Sequence, residues 1–152
     1  MRRTDAAWAA GLMDGEAAIM LHLQKPANQP GRRSTTAHVR VRVGMCDERT
    51  VRRLARMFGV GTIRVREASG KKQQKKDLYL WEVNGRKAQR ILEITKPHFY
   101  TKAKLVKLAL RFLRLPVWTA GGRRRMPTAL QAKHLRFRKE FRALQIHKLA
   151  RP

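Results

Sequence analysis

His38-Val39-Arg40-Val41-Arg42-Val43 alternates a cation with a β-branched aliphatic through six residues. Successive side chains of a strand point to opposite faces, so the three valines share one face and His38, Arg40 and Arg42 the other. Such a strand belongs to a sheet with one face packed on a core and one face solvated.

The segments around it extend the pattern. On the N-terminal side, Ile19, Leu21 and Leu23 alternate with Met20, His22 and Gln24, which predicts a strand over 19–25. Two prolines, Gly31, Arg32 and Arg33 fill a loop over 26–36. On the C-terminal side, Asp47 reads as the cap of a helix whose stripe is Val51, Leu54, Ala55 and Phe58. Gly59-Val60-Gly61 ends that helix and turns into a third strand, with Ile63 and Val65 on one face and Thr62, Arg64 and Arg66 on the other. A loop over 69–76 with four lysines leads to a fourth strand, 77–83. Its polar face is expected to carry Asp77, Tyr79 and Trp81.

Before the first strand lies an Ala-rich helix, 5–14, with Thr4 as its cap; after the fourth come helices over 86–94, from Pro97 to Leu115, and after Pro127. Phe99, Phe112, Phe137 and Phe141 fall at helical spacing and read as core rather than as base-stacking platforms. The order αββαββααα predicts an α+β sandwich, a four-stranded antiparallel sheet with helices on one face. It is read as one domain over 1–152, with a core over about 4–115 and a C-terminal helical extension over about 116–152.

The charge balance narrows the partner. Thirty-six Lys and Arg stand against ten Asp and Glu, a formal net charge of +26 in 152 residues. A domain this basic repels itself unless a polyanion offsets the field, and nucleic acid is the commonest such partner. Charge alone leaves open a ribosomal-type RNA binder or a membrane-surface protein. The single cysteine, Cys46, excludes an internal disulfide framework, and the scattered histidines give no zinc-ligand spacing. No apolar run approaches the length of a membrane span, so an intracellular protein without a membrane partner is expected.

The sheet face suggests how the polyanion is read. His22 and Gln24, then His38, Arg40 and Arg42, then Thr62, Arg64 and Arg66 form a polar surface broad enough to lie along a DNA groove. There Arg takes guanine edges bidentately and Gln takes adenine. Arg32, Arg33, the lysines between Lys71 and Lys76, and Arg123, Arg124 and Arg125 lie in loops beside the sheet and read as phosphate clamps. About ten such contacts would give a log–log salt slope near −9.

The opening helix carries the remaining signal. Trp8-Ala9-Ala10-Gly11-Leu12-Met13-Asp14-Gly15-Glu16-Ala17-Ala18-Ile19 resembles the LAGLIDADG motif of homing endonucleases and intron maturases. Ala10, Gly11, Leu12 and Asp14 match it letter for letter, and Glu16 replaces the final acid. Phe58-Gly59-Val60-Gly61, Trp81-Glu82-Val83 and Pro97 five residues before Lys102 resemble the same family, so that residues 4 to about 115 are covered. The motif occurs once, and the family then implies a homodimer on a pseudo-palindromic site, its motif helices packed through Ala10, Gly11, Asp14 and Gly15. The resemblance further implies cleavage of double-stranded DNA, with Glu16 and the Gly15 carbonyl holding Mg²⁺. Mn²⁺ would substitute, and Ca²⁺ would bind without cleavage. Lys102 is expected beside the cut, and Asp14 as a backbone hydrogen-bonding group at the helix end. Met20, Tyr79 and Trp81 are expected among the DNA contacts. Two positions depart from the pattern: Ala17 stands where glycine is usual, and Met45 where the family often has a Gln or Asn that orients water. They favour the alternative of a DNA-binding regulator or an RNA-splicing maturase, the one case with an RNA partner. A bacterial or phage-infected cytoplasm, or an organelle, is the expected setting.

Overall fold

The computed structural model describes residues 1–24, 36–68, 76–116 and 126–146. Helix α1 (Arg3–Glu16) runs directly into β1 (Ala17–Gln24), followed by β2 (Thr36–Met45), α2 (Glu48–Phe58), β3 (Thr62–Arg66), β4 (Leu78–Asn84), α3 (Gly85–Thr95), a 3-10 turn (Lys96–His98), α4 (Ala103–Leu113) and α5 (Thr128–Ile146). The four strands form one antiparallel sheet in the order β1-β2-β4-β3. Its core face is Ala17, Ile19, Val39, Val41, Val43, Trp81 and Val83, covered by Met13, Leu54, Ile91, Leu92 and Val106 from the helices. This is the α+β sandwich expected from the alternation.

Local chemistry explains the boundaries. Asp47 caps α2 by accepting from the N–H groups of Arg49 and Thr50. Gly59 closes the same helix in the left-handed region at φ 62°. Gly61, at φ 101°, must be glycine for a second reason: a Cβ there would collide with the Trp81 indole and Val83. The indole donates to the Val60 carbonyl at 2.9 Å and stacks on Phe58, so the Gly-Val-Gly turn is the seat of Trp81.

Three expectations change. α1 begins at Arg3 and its N-cap, Arg2, makes no side-chain cap; Thr4 lies inside the helix. The helix expected from Pro97 to Leu115 is broken, because residues 96–102 turn and α4 begins only at Ala103. Trp81 is fully buried on the helix side of β4, and Tyr79, two residues away, shares that face.

Candidate nucleic-acid interface and helix-end site

The open face of the sheet holds every second strand residue. In register, Ala18 lies opposite Arg42, Met20 opposite Arg40, and His22 opposite His38. Arg40 in turn lies opposite Asn84, and Arg42 opposite Glu82. Thr62 pairs with Glu82, Arg64 with Leu80, and Arg66 with Leu78. Tyr79 and Trp81 therefore do not belong to this surface, and Leu78, Leu80, Glu82 and Asn84 take their place. Both parities of β4 are apolar enough to pack; the indole decides, because its bulk and its N–H find their place at the Gly-Val-Gly turn. Glu82 and Asn84 were missed for that reason, although aligning Trp81 with Val83 as inward residues exposes both.

Electrostatics divide the face. Arg42 donates to Glu82 Oε2 from Nε at 3.0 Å and Nη2 at 2.7 Å. Arg40 Nε lies 3.3 Å from Glu82 Oε1 and donates to Asn84 Oδ1 at 3.2 Å. Burial alone would raise the Glu82 carboxyl, but hydrogen bonds from Arg42 and Asn84 and the charges of Arg40 and Arg42 outweigh it and hold it below the ordinary glutamate value. The imidazoles of His22 and His38 sit 5.0 Å apart. Burial first, then the Arg40 charge, lowers His22 below 6.5, and burial followed by the charges of His22 and Arg40 lowers His38. Both are neutral near pH 7. On the edge strand β3, Thr62, Arg64 and Arg66 are exposed.

At the rim, α1 ends in an exposed Glu16. The chain just before it is locked to the turn ahead of α4 from both sides. The Asp14 carboxylate accepts from the N–H groups of Thr101 at 2.7 Å, Lys102 at 2.6 Å and Tyr100 at 3.3 Å. Burial works against the Asp14 charge, but these bonds and one from the Thr101 side chain outweigh it and keep the carboxyl below its ordinary value. In return the Lys102 ammonium donates to the carbonyls of Met13 at 2.9 Å, Asp14 at 2.5 Å and Gly15 at 3.0 Å. Lys102 is only 7% exposed. The Met13 carbonyl already accepts from the Ala17 N–H, whereas those of Asp14 and Gly15 are among the groups that a helix C-terminus leaves unsatisfied, and a cation there also suits the helix dipole. Lys102, expected beside the cut, reaches the end of α1, one residue short of Glu16. Asp14 does hydrogen-bond backbone, as expected, and its carboxylate is spent within the chain rather than on a partner.

The small residues of α1 fall on two faces. Ala6, Ala9, Ala10 and Met13 are buried against the chain's own core, so Ala10 is not an interface residue. Ala7, Gly11 and Gly15, spaced four apart, are exposed, and a Cβ at either glycine would meet nothing within 4 Å. Gln24 pairs with Thr36 through the backbone; its side chain, Arg32, Arg33, Lys71, Lys72, Lys75 and Arg123–Arg125 lie outside the described residues. Among the described residues no three His, Cys, Asp or Glu side chains cluster as a metal site, and no helix is long and apolar enough to cross a membrane.

No protein-family model and no curated protein matches the sequence. Solved structures do. The homing endonuclease I-CvuI, in complex with a DNA target in the presence of Mg, superposes with a TM-score of 0.73 at 18% identity, covering 93% of this chain and 82% of its own. The homing endonuclease I-TnaI gives 0.61 at 16% identity, over 95% of this chain and 94% of its own. The chain has the LAGLIDADG homing endonuclease fold. The LAGLIDADG homing endonuclease I-GzeII, in complex with its DNA target, matches with a TM-score of 0.57 at 13% identity, and this chain covers 43% of it. One copy of the chain is thus about the length of I-TnaI and under half that of I-GzeII. At these identities the comparison establishes the architecture, and the chemistry rests on the residues just described.

Proposed function

We propose that the chain is a sequence-specific DNA endonuclease that works as a homodimer on a pseudo-palindromic site. The observation that carries the reading is the placement of Glu16. It is an exposed acid at the rim of a cationic sheet, on the end of a helix whose outer stripe is Ala7, Gly11 and Gly15. Two copies packed through that stripe would bring two acids together, because small residues let helix backbones approach closely. The sheets would lie in the major groove, with Met20, His22, Gln24, His38, Arg40, Arg42, Thr62, Arg64 and Arg66 toward the bases.

The donor set fits a hard divalent cation. Glu16 supplies a carboxylate and Gly15 a carbonyl, and a carbonyl with two lone pairs accepts a ligand while bonded to Lys102. One acid per chain leaves the coordination to be completed by the second copy, phosphate oxygens and water. Bound there, Mg²⁺ would polarise the scissile phosphate and ease deprotonation of a water. The protein's part is to aim Glu16, which the Asp14–Lys102 lock does by fixing the helix end, and to position the duplex. I-CvuI is described with its target in the presence of Ca, and with uncleaved DNA in the presence of Mg, which supports a divalent cation in this fold.

The observation on the side of a binding-only role, as a regulator or maturase, is the end of β2. Met45 packs against the core, and the open-face neighbour is Gly44, over which Leu80 lies. Neither side chain can hydrogen-bond a water.

The deciding experiment offers the purified protein a plasmid carrying its gene's insertion site joined without the gene, in Mg²⁺, in Ca²⁺, and with Glu16→Gln. Cutting in Mg²⁺ alone, lost in the variant, establishes the nuclease. Tight binding without cutting under any condition transfers the function to regulation or splicing.

A further inference from the structure

Among the described strand residues Glu82 is the one acid on the open face of the sheet. It stands on a central strand, where an approaching phosphate would be repelled. An acid so placed costs non-specific affinity, and ten acids among thirty-six cations leave little reason for it by default. Its contacts show what it does there. Arg40 and Arg42 are two apart on one strand face, so their guanidiniums repel each other. Glu82 lies between them, bonds both, and recruits Asn84, which donates to Oε1 at 3.3 Å. The three side chains are drawn down onto the sheet: Glu82 is 15% exposed, Arg40 18% and Arg42 37%. Arg64 and Arg66 on the edge strand, by contrast, are exposed.

We propose that Glu82 is a specificity-determining positioning residue that holds Arg40 and Arg42 for base edges and withholds them from phosphates. The inference rests on the DNA-binding part of the reading above and is independent of cleavage. A guanidinium has five N–H donors in a rigid fork. Arg42 has one edge of its fork, Nε and Nη2, fixed on Glu82, and Arg40 is tethered at Nε by Glu82 and Asn84; this sets the planes in which the remaining donors meet a base, as bidentate recognition of guanine requires. The same carboxylate offsets part of the charge that would otherwise bind any duplex. Affinity for arbitrary sequence is thereby exchanged for discrimination, since phosphate contacts carry no sequence information.

The test uses the full chain and a random-sequence duplex pool, read by fluorescence anisotropy across a salt series and by sequencing of the retained duplexes. Glu82→Gln keeps the side-chain shape and one acceptor while removing the charge. It should bind the random pool about eightfold tighter in roughly 0.1 M salt for each phosphate newly neutralised, with a log–log slope steeper by about 0.9. The sequences it retains should show weaker base preference than those retained by the unaltered protein. In an Arg42→Gln background the effect of Glu82→Gln should shrink, because the acid acts through that arginine; loss of folding alone would not produce this coupling. Unchanged salt slope and base preference in Glu82→Gln, with the fold intact by circular dichroism, overturns the proposal. If the unaltered protein fails to bind duplex DNA even in low salt, the DNA reading itself falls, and the role of Glu82 falls with it.

Discussion

Lys102→Met removes the ammonium while leaving most of the stem, and separates the two roles open to this lysine. The lysine is 7% exposed and donates to three carbonyls at the end of α1. Hydrogen bonds from a charged donor contribute about 1.5–3 kcal/mol each, and a cation at a helix C-terminus up to about 2 kcal/mol. Against them stands the desolvation of a buried ammonium, several kcal/mol, which the variant recovers. The net loss should be about 3 kcal/mol. In a domain of this size each kcal/mol moves the midpoint by about 2–4 °C, so the melting temperature should fall by roughly 6–12 °C. The measurement is thermal unfolding by far-ultraviolet circular dichroism at one fixed protein concentration, since a dimer's midpoint depends on concentration. Lys102→Arg, which keeps the charge and several donors, should recover part of the loss. A melting temperature within about 1 °C of the unaltered protein, alongside lost cleavage, would refute the capping role and return Lys102 to the reacting phosphate.

Three further outcomes follow from the same geometry. The lowered pKa of Asp14 means that its charged form adds stability above the ordinary value of 3.8, and that this is lost as pH falls through the lower folded value; the melting-temperature gap between Asp14→Asn and the unaltered protein should therefore close on acidification, and a gap constant from pH 7 to pH 3 would sink the argument. His22 and His38 are held neutral by burial and Arg40, with Arg42 also opposing charge on His22 and Glu82 favouring charge on both; acidification below pH 6.5 should destabilise the fold yet strengthen duplex binding, and a His22→Asn/His38→Asn variant should lose the second effect in anisotropy titrations. The glycines should separate: Gly61→Ala meets Trp81 and Val83 at a positive φ and should cost about 3 kcal/mol in chemical denaturation, whereas a Cβ at Gly11 meets nothing within 4 Å, and Gly11→Leu should shift sedimentation from dimer to monomer without lowering secondary structure.

The parts legible in the sequence were those where periodicity has one solution. β2 alternates valine with cations and leaves no choice of face, and β1 and β3 follow it. β4 was misread because Leu78 and Leu80 on one parity and Tyr79, Trp81 and Val83 on the other are both apolar, and only a long-range bond from Trp81 to Val60 selects between them. Ala10 and Gly11 are adjacent small residues, and spacing alone does not say which looks inward; the buried set Ala6, Ala9, Ala10 and Met13 does. The Asp14–Lys102 lock spans more than eighty residues of sequence, so no local pattern announces it. A motif comparison names both residues but does not show that they bond to the same helix end.

That lock follows from how α1 is built. The helix buries three alanines and one methionine, which lets it lie close to the sheet but supplies few large side chains to resist sliding or rotation. Larger inward residues would anchor it but would push it off the sheet. Trp8 and Leu12 pack against the core only in part, so polar contacts add to the restraint. Arg53 lies 4.3 Å over the Trp8 ring along its length, and Asp14 and Lys102 clamp its final turn to the start of α4. Glu16 follows the clamped carbonyl of Gly15 by a single residue, so its position is set by hydrogen bonds more than by packing. Disturbing the clamp should displace Glu16 before it unfolds the core. A Thr101→Pro substitution, which deletes the 2.7 Å N–H bond to Asp14, should then weaken cleavage more than it weakens duplex binding. Equal losses in both would place the control of Glu16 in the core instead.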